Sequence, residues 1–152
     1  MNTKQDYSVV AMTLDWHPYN HCSFKDNGGE WPVHCVKHSV GAAVYDPLLF
    51  ILNNNGYNVK YFTKGEKSDK EEYAFTDSNA SKETLRNIIY GWRVDQIDIV
   101  GIVGTICVKN TIMGLIQMGY KDKINVLTKY VANFDDDTEF KTWLDEEGIR
   151  YE

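Results

Sequence analysis

A chain of 152 residues, 43% hydrophobic and 25% charged, is long enough to bury a core as one domain and has an ordinary globular composition. A net charge of −6 with scattered Lys and Arg excludes a surface built to track nucleic-acid phosphates, and no apolar run reaches the length of a membrane span. The start, MNTKQDYSVV, has no apolar stretch behind a basic head, so no signal peptide is expected, and three cysteines fit a reducing cytoplasm.

In chain order, YSVVAMTL (7–14) reads as a buried strand. A long loop follows, with Pro18, Gly28, Gly29, Pro32 and all four histidines, from His17 to His38. YDPLLFILNNNG (45–56) fits a short helix, with Pro47 in its first turn and Gly56 past its end. YNVKYFT (57–63) is a strand. SKETLRNIIYGW (81–92) is a helix with Ser81 and Thr84 in capping positions and apolar spacing at Leu85, Ile88 and Ile89. IDIVGIV (97–103) is a strand, CVKNTIMGLIQMG (107–119) a helix ending at Gly119, KINVLT (123–128) a strand, and DTEFKTWLDEEG (137–148) an amphipathic helix. Strands alternate with helices and lack polar alternation. That pattern predicts an α/β fold of three layers, α/β/α, around a mostly parallel central sheet.

In such sheets ligands bind beyond the carboxyl ends of the strands. Three of those ends carry chemistry. The first strand runs into Asp15, His17 and His21, with His34 further along the loop. Carboxylate and imidazole suit Zn, Fe or Mn. Alternate side chains of an extended segment share a face, so Asp15 and His17 can bind one ion, and loop closure can add His34. Against this stands a set of surface-loop histidines with no special role. Cys22 and Cys35 are weaker candidate ligands, because the Asp/His set is already sufficient.

The second strand runs into Lys64-Gly65, a cation able to steady a neighbouring anion or else a solvated turn residue. The third runs through GTI into Cys107. A thiol opening a helix feels the positive end of the dipole, and the unpaired amides there can hold an oxyanion. The alternative is an inert core cysteine.

Taken together, DWHPYNHCSF, GGEWPVHCVKHSVGA, FTKG with EEYAF, and GIVGTICVKNT with MGY resemble, in order, the nicotinamidases. These are metal-containing members of the isochorismatase-like cysteine hydrolases. The resemblance runs from about Ser8 to the C-terminus. It implies that Asp15, His17 and His34 ligate a divalent metal, Zn first and Fe or Mn next. His21 matches a position that is either a ligand or a partner behind the ligands. Cys107 matches the nucleophile and Lys64 the lysine beside it. Trp31 matches the aromatic that packs on the pyridine ring. The amides of Val103 and Cys107 match the oxyanion hole, with a cis peptide before Val103. The implied reaction is deamidation of nicotinamide to nicotinic acid and ammonia through a cysteine thioester.

The family pattern also holds an aspartate in a DxQxDF-like segment, at the end of a strand ahead of YSVVAMTL. This chain is expected to lack that first strand. Asp6, at the amino end of its strand, and Asp26, in the loop, do not match the position. Thr105 and Ile106 stand where many members carry an acid and an aromatic or His. Two other readings stay open. One is a non-catalytic or partner-completed metal-binding homologue, with homo-oligomers in view. The other is an amidase for a different small amide.

Overall fold

Residues 7–152 are described by the computed structural model, so Asp6 lies outside the described residues. The chain divides into two compact units, one ending at Glu72 and the other beginning at Tyr73.

In the first unit, the apolar run after Tyr7 forms strand β1 over Val10–Asp15. Strand β2, Val59–Lys64, pairs with it in parallel, in a register running from Val10 opposite Val59 to Asp15 opposite Lys64. A parallel pair needs a long crossover. The histidine loop and helix α1, Asp46–Asn54, supply it. Pro47 sits in the first turn of α1, where a missing N–H costs nothing, and Gly56 follows its end at φ +68°. Leu52 faces inward, while Phe50 and Ile51 are exposed.

The histidine loop is not a loose surface excursion. Phe24 is completely buried within it, and Val36 is buried too. Backbone bonds staple the loop: Trp31 N–H to the Ser23 carbonyl, Lys25 N–H to Trp31, and Gly29 N–H to Phe24. The rings of His17, His21 and His34 all lie 5.4–5.7 Å from that of Phe24. One phenylalanine therefore serves as the floor on which the histidines are arranged, and its burial drives the loop inward.

In the second unit, a short turn at Phe75–Asp77 leads to helix α2, Asn79–Gly91. The cap of α2 is Ser78, whose side chain accepts from Ser81 N–H, rather than Ser81 or Thr84 as the sequence suggested. Leu85, Ile88 and Ile89 form its buried face, as their spacing predicts. Strand β3 is Ile97–Ile102, helix α3 Lys109–Gln117, strand β4 Ile124–Ala132 and helix α4 Thr138–Glu146. A two-residue strand β5, Arg150–Tyr151, was not foreseen. The sheet order is β3-β4-β5, parallel throughout. Its core includes Ile99, Ile112, Leu115, Ile124, Val126, Phe140 and Leu144.

Every ladder between named strands among the described residues is parallel, and helices join the strands. The α/β class read from the sequence holds. Among the described residues no helix is long and apolar enough to cross a membrane.

Candidate metal centre and nucleophile turn

Strand β1 ends on Asp15, and the chain then forms an isolated parallel bridge between His17 and Val36. His17 N–H donates to the Cys35 carbonyl at 3.0 Å, and Lys37 N–H donates to the His17 carbonyl at 2.9 Å. This bridge returns the loop to the strand end, and with it His34. Asp15, His17 and His34 each offer a ligand atom, and those atoms lie within 4.8 Å of one another.

The tautomers are set by the backbone. His17 Nδ1 lies 2.9 Å from the Gly65 carbonyl, and His34 Nδ1 lies 2.8 Å from the Pro32 carbonyl. A carbonyl only accepts, so each Nδ1 carries a proton and each Nε2 is the ring atom left to face a ligand. His17 Nε2 is 4.0 Å from Asp15 Oδ1. Burial holds the His17 imidazole below its ordinary pKa of 6.5, helped by the neighbouring His21 and His34 and opposed by the Gly65 carbonyl and Asp15. Two imidazoles and a carboxylate, each ring fixed by an outer hydrogen bond, form a donor set that fits a divalent transition metal.

His21 stands beside this group but outside it. It is fully buried, with its ring 4.1 Å from that of His17. Its Nε2 donates to the Lys70 carbonyl at 3.1 Å, and its Nδ1 accepts from the Ser23 hydroxyl at 2.7 Å. Both nitrogens are committed, so His21 buttresses the His17 ring. Cys22 and Cys35 are half-buried and not in the group. Trp31 is half-buried and bridged to Phe24. Asp26 is exposed in the turn Lys25–Asn27.

Lys64 is 5% exposed and forms an ion pair with Asp15, its partner across the β1–β2 ladder. Gly65 follows at φ +65°, and a Cβ there would run into the His17 ring. Its N–H donates to Glu72 at 3.0 Å. Glu72 is a site residue that the sequence reading passed over. It anchors the N–H of Gly65, the residue whose carbonyl orients His17.

In the second unit, β3 leads to Cys107 through an unusual turn. The Ile102–Val103 peptide is cis, as the resemblance implies. A π-helical turn then spans Gly104–Val108, and α3 begins only at Lys109. Cys107 therefore lies within the π turn, not at the first residue of an α-helix, and is half-buried. The Val103 carbonyl accepts from both Ile106 and Val108 N–H at 3.1 Å. The wide turn is what lets one carbonyl take both. Asn133, just after β4, pins its start: its Oδ1 accepts from Thr105 N–H at 3.0 Å, and its amide donates to Asp137 at 3.0 Å. Gly104 is buried against that side chain, where a Cβ would not fit. Asn133 also went unremarked in the sequence, because it lies 28 positions from its partner.

Parallel strands linked by helices, with the candidate site residues at or just beyond strand ends, define an α/β protein. No family model matches the chain. It is 30% identical to the nicotinamidase of Saccharomyces cerevisiae over 94% of its length and 76% of that protein. It is 31% identical to the nicotinamidase of Escherichia coli over 79% of its length, spanning 61% of that relative. A pyrazinamidase of Pyrococcus horikoshii, solved in complex with zinc, superposes with a TM-score of 0.76 at 25% identity, covering 95% of this chain and 74% of that one. The chain belongs to the nicotinamidase family of hydrolases.

Proposed function

We propose that this chain hydrolyses nicotinamide to nicotinic acid and ammonia, using a metal held by Asp15, His17 and His34 and a nucleophile supplied by Cys107. The observation that carries the proposal is the gathering of those three ligands within 4.8 Å in a member of the nicotinamidase family. Zinc is the first choice of metal, because the Pyrococcus relative was solved with it. A divalent ion bound there supplies a Lewis-acid anchor for the pyridine nitrogen, an orienting device of the kind that can contribute several kcal/mol to rate.

The chain's own residues do the rest. Cys107 loses its thiol proton and its sulfur bonds to the carboxamide carbon. The amides of Val103 and Cys107 donate to the oxygen as it becomes an oxyanion. The carbon–nitrogen bond then breaks, and the nitrogen leaves as ammonia, gaining the proton that the thiol gave up. Water adds to the thioester, the carbon–sulfur bond breaks, and nicotinic acid and the free thiol are released.

The test is ammonia release from nicotinamide by chelator-stripped protein before and after zinc is restored. Activity should return with zinc, and Asp15→Ala should abolish that recovery. Full activity in stripped protein would refute the metal's part in the proposal.

A further inference from the structure

The surroundings of Lys64 point to a role beyond support of a thiolate. Its side chain is 5% exposed, and its ammonium rests on Asp15 Oδ1. That same oxygen lies 4.0 Å from His17 Nε2, and Asp15 and His17 both belong to the candidate ligand group. The contact is also built into the sheet. Asp15 and Lys64 are direct partners at the carboxyl ends of the parallel β1 and β2 strands, so the register places the cation beside the ligand. A surface ion pair could drift away at little cost, whereas a buried ammonium needs a partner for its charge.

We propose that Lys64 is a built-in competitor of the metal ion for Asp15. The ammonium and a divalent cation draw on one carboxylate oxygen and repel each other across a few ångströms. Lys64 therefore weakens metal binding, keeping the ion exchangeable, and the ion in turn loosens the ammonium from Asp15. The two effects are reciprocal, as linked equilibria must be. This inference rests on the reading of Asp15, His17 and His34 as the metal site.

The experiment is a zinc titration of the full-length protein in competition with a chromogenic chelator, and needs no activity. Lys64→Met, which keeps length and loses charge, should bind zinc at least about ten-fold more tightly than wild type. Lys64→Arg, which keeps the charge, should stay within about three-fold of wild type. Unchanged or weaker zinc binding by a folded Lys64→Met would overturn the proposal while leaving the ligand triad intact. Wild-type affinity in His34→Ala would instead overturn the triad reading and this proposal with it. A second measurement, on unaltered protein, guards against a variant that fails to fold. Proton exchange at the Lys64 ammonium, followed by nitrogen-15 NMR, should quicken when zinc is added. Exchange unaffected by zinc at saturation would contradict the competition.

Discussion

The orientation of His17 depends on one residue, Gly65. The His17 Nδ1 proton goes to the Gly65 carbonyl, and the Gly65 N–H goes to Glu72. Gly65 has a left-handed backbone and no space for a Cβ beside the ring. Gly65→Ala should therefore tilt His17 and weaken zinc binding by about 10–100-fold, the usual cost of disturbing an outer hydrogen bond of a metal ligand. A chelator-competition titration checks this, and unaltered affinity would count against the relay. Glu72 offers a separate test by pH. Burial pushes its carboxyl upward, but hydrogen bonds from Lys70 and Gly65 N–H and the charges of Lys70 and Lys67 outweigh that and hold it below the ordinary 4.5. The folded state thus favours the ionised form. Its contribution is present above about pH 4.5, the unfolded value, and is lost as the pH falls through the lower folded value. Urea unfolding of Glu72→Gln should show a shallower loss of stability below about pH 4.5 than wild type. Parallel acid limbs for the two proteins would mean Glu72 is not coupled to folding. The candidate ligands were legible because their chemistry is local: Asp15 and His17 stand two apart on an extended segment. Glu72 and Asn133 were not, because each acts on a peptide group that only the folded chain brings near.

Among the elements, α2 shows how a cap is chosen. Ser81 and Thr84 are reasonable caps by residue type, but the chain turns at Phe75–Asp77, and Ser78 then adopts the extended φ −92°, ψ 129° of a cap. Ser81 supplies the N–H that Ser78 receives. Ser78→Ala should cost about 1 kcal/mol of stability and Ser81→Ala less than about half of that. Thermal or urea unfolding of the pair checks the assignment, and the reverse order would restore the sequence-based cap. Apolar runs gave strands β1 to β4 their positions, but not their burial: β1, expected to be buried, has no buried residue and leaves Ala11 and Thr13 exposed, because apolar composition marks a strand without fixing how much of each face is covered. Their extents were less legible. Strand β4 continues to Ala132 through a register shift opposite β3, where Ile99 pairs with Val126 but Gly101 with Val131. Such an irregularity is a property of two strands together. Strand β5, at two residues, is too short to leave a periodic trace. The π turn around Cys107 was read as the opening of an α-helix because both widths of helix suit the same apolar sequence.

At the scale of the whole molecule, the candidate ligand triad and the Lys64 pair belong to the first unit, and the π turn that carries Cys107 to the second. Asp15 and Cys107 stand far apart in the chain, so no local pattern joins them. What made the combination legible was the order of several short motifs, each weak alone. The central claim is that Cys107 is the nucleophile of a metal-supported deamidation. The most direct test is ammonia release from nicotinamide by zinc-loaded wild type and by zinc-loaded Cys107→Ala, with matched zinc content and matched folding. The account predicts turnover by wild type and a loss of at least about a thousand-fold in the variant. Equal rates for the two proteins, or no ammonia from folded, zinc-loaded wild type, would contradict it.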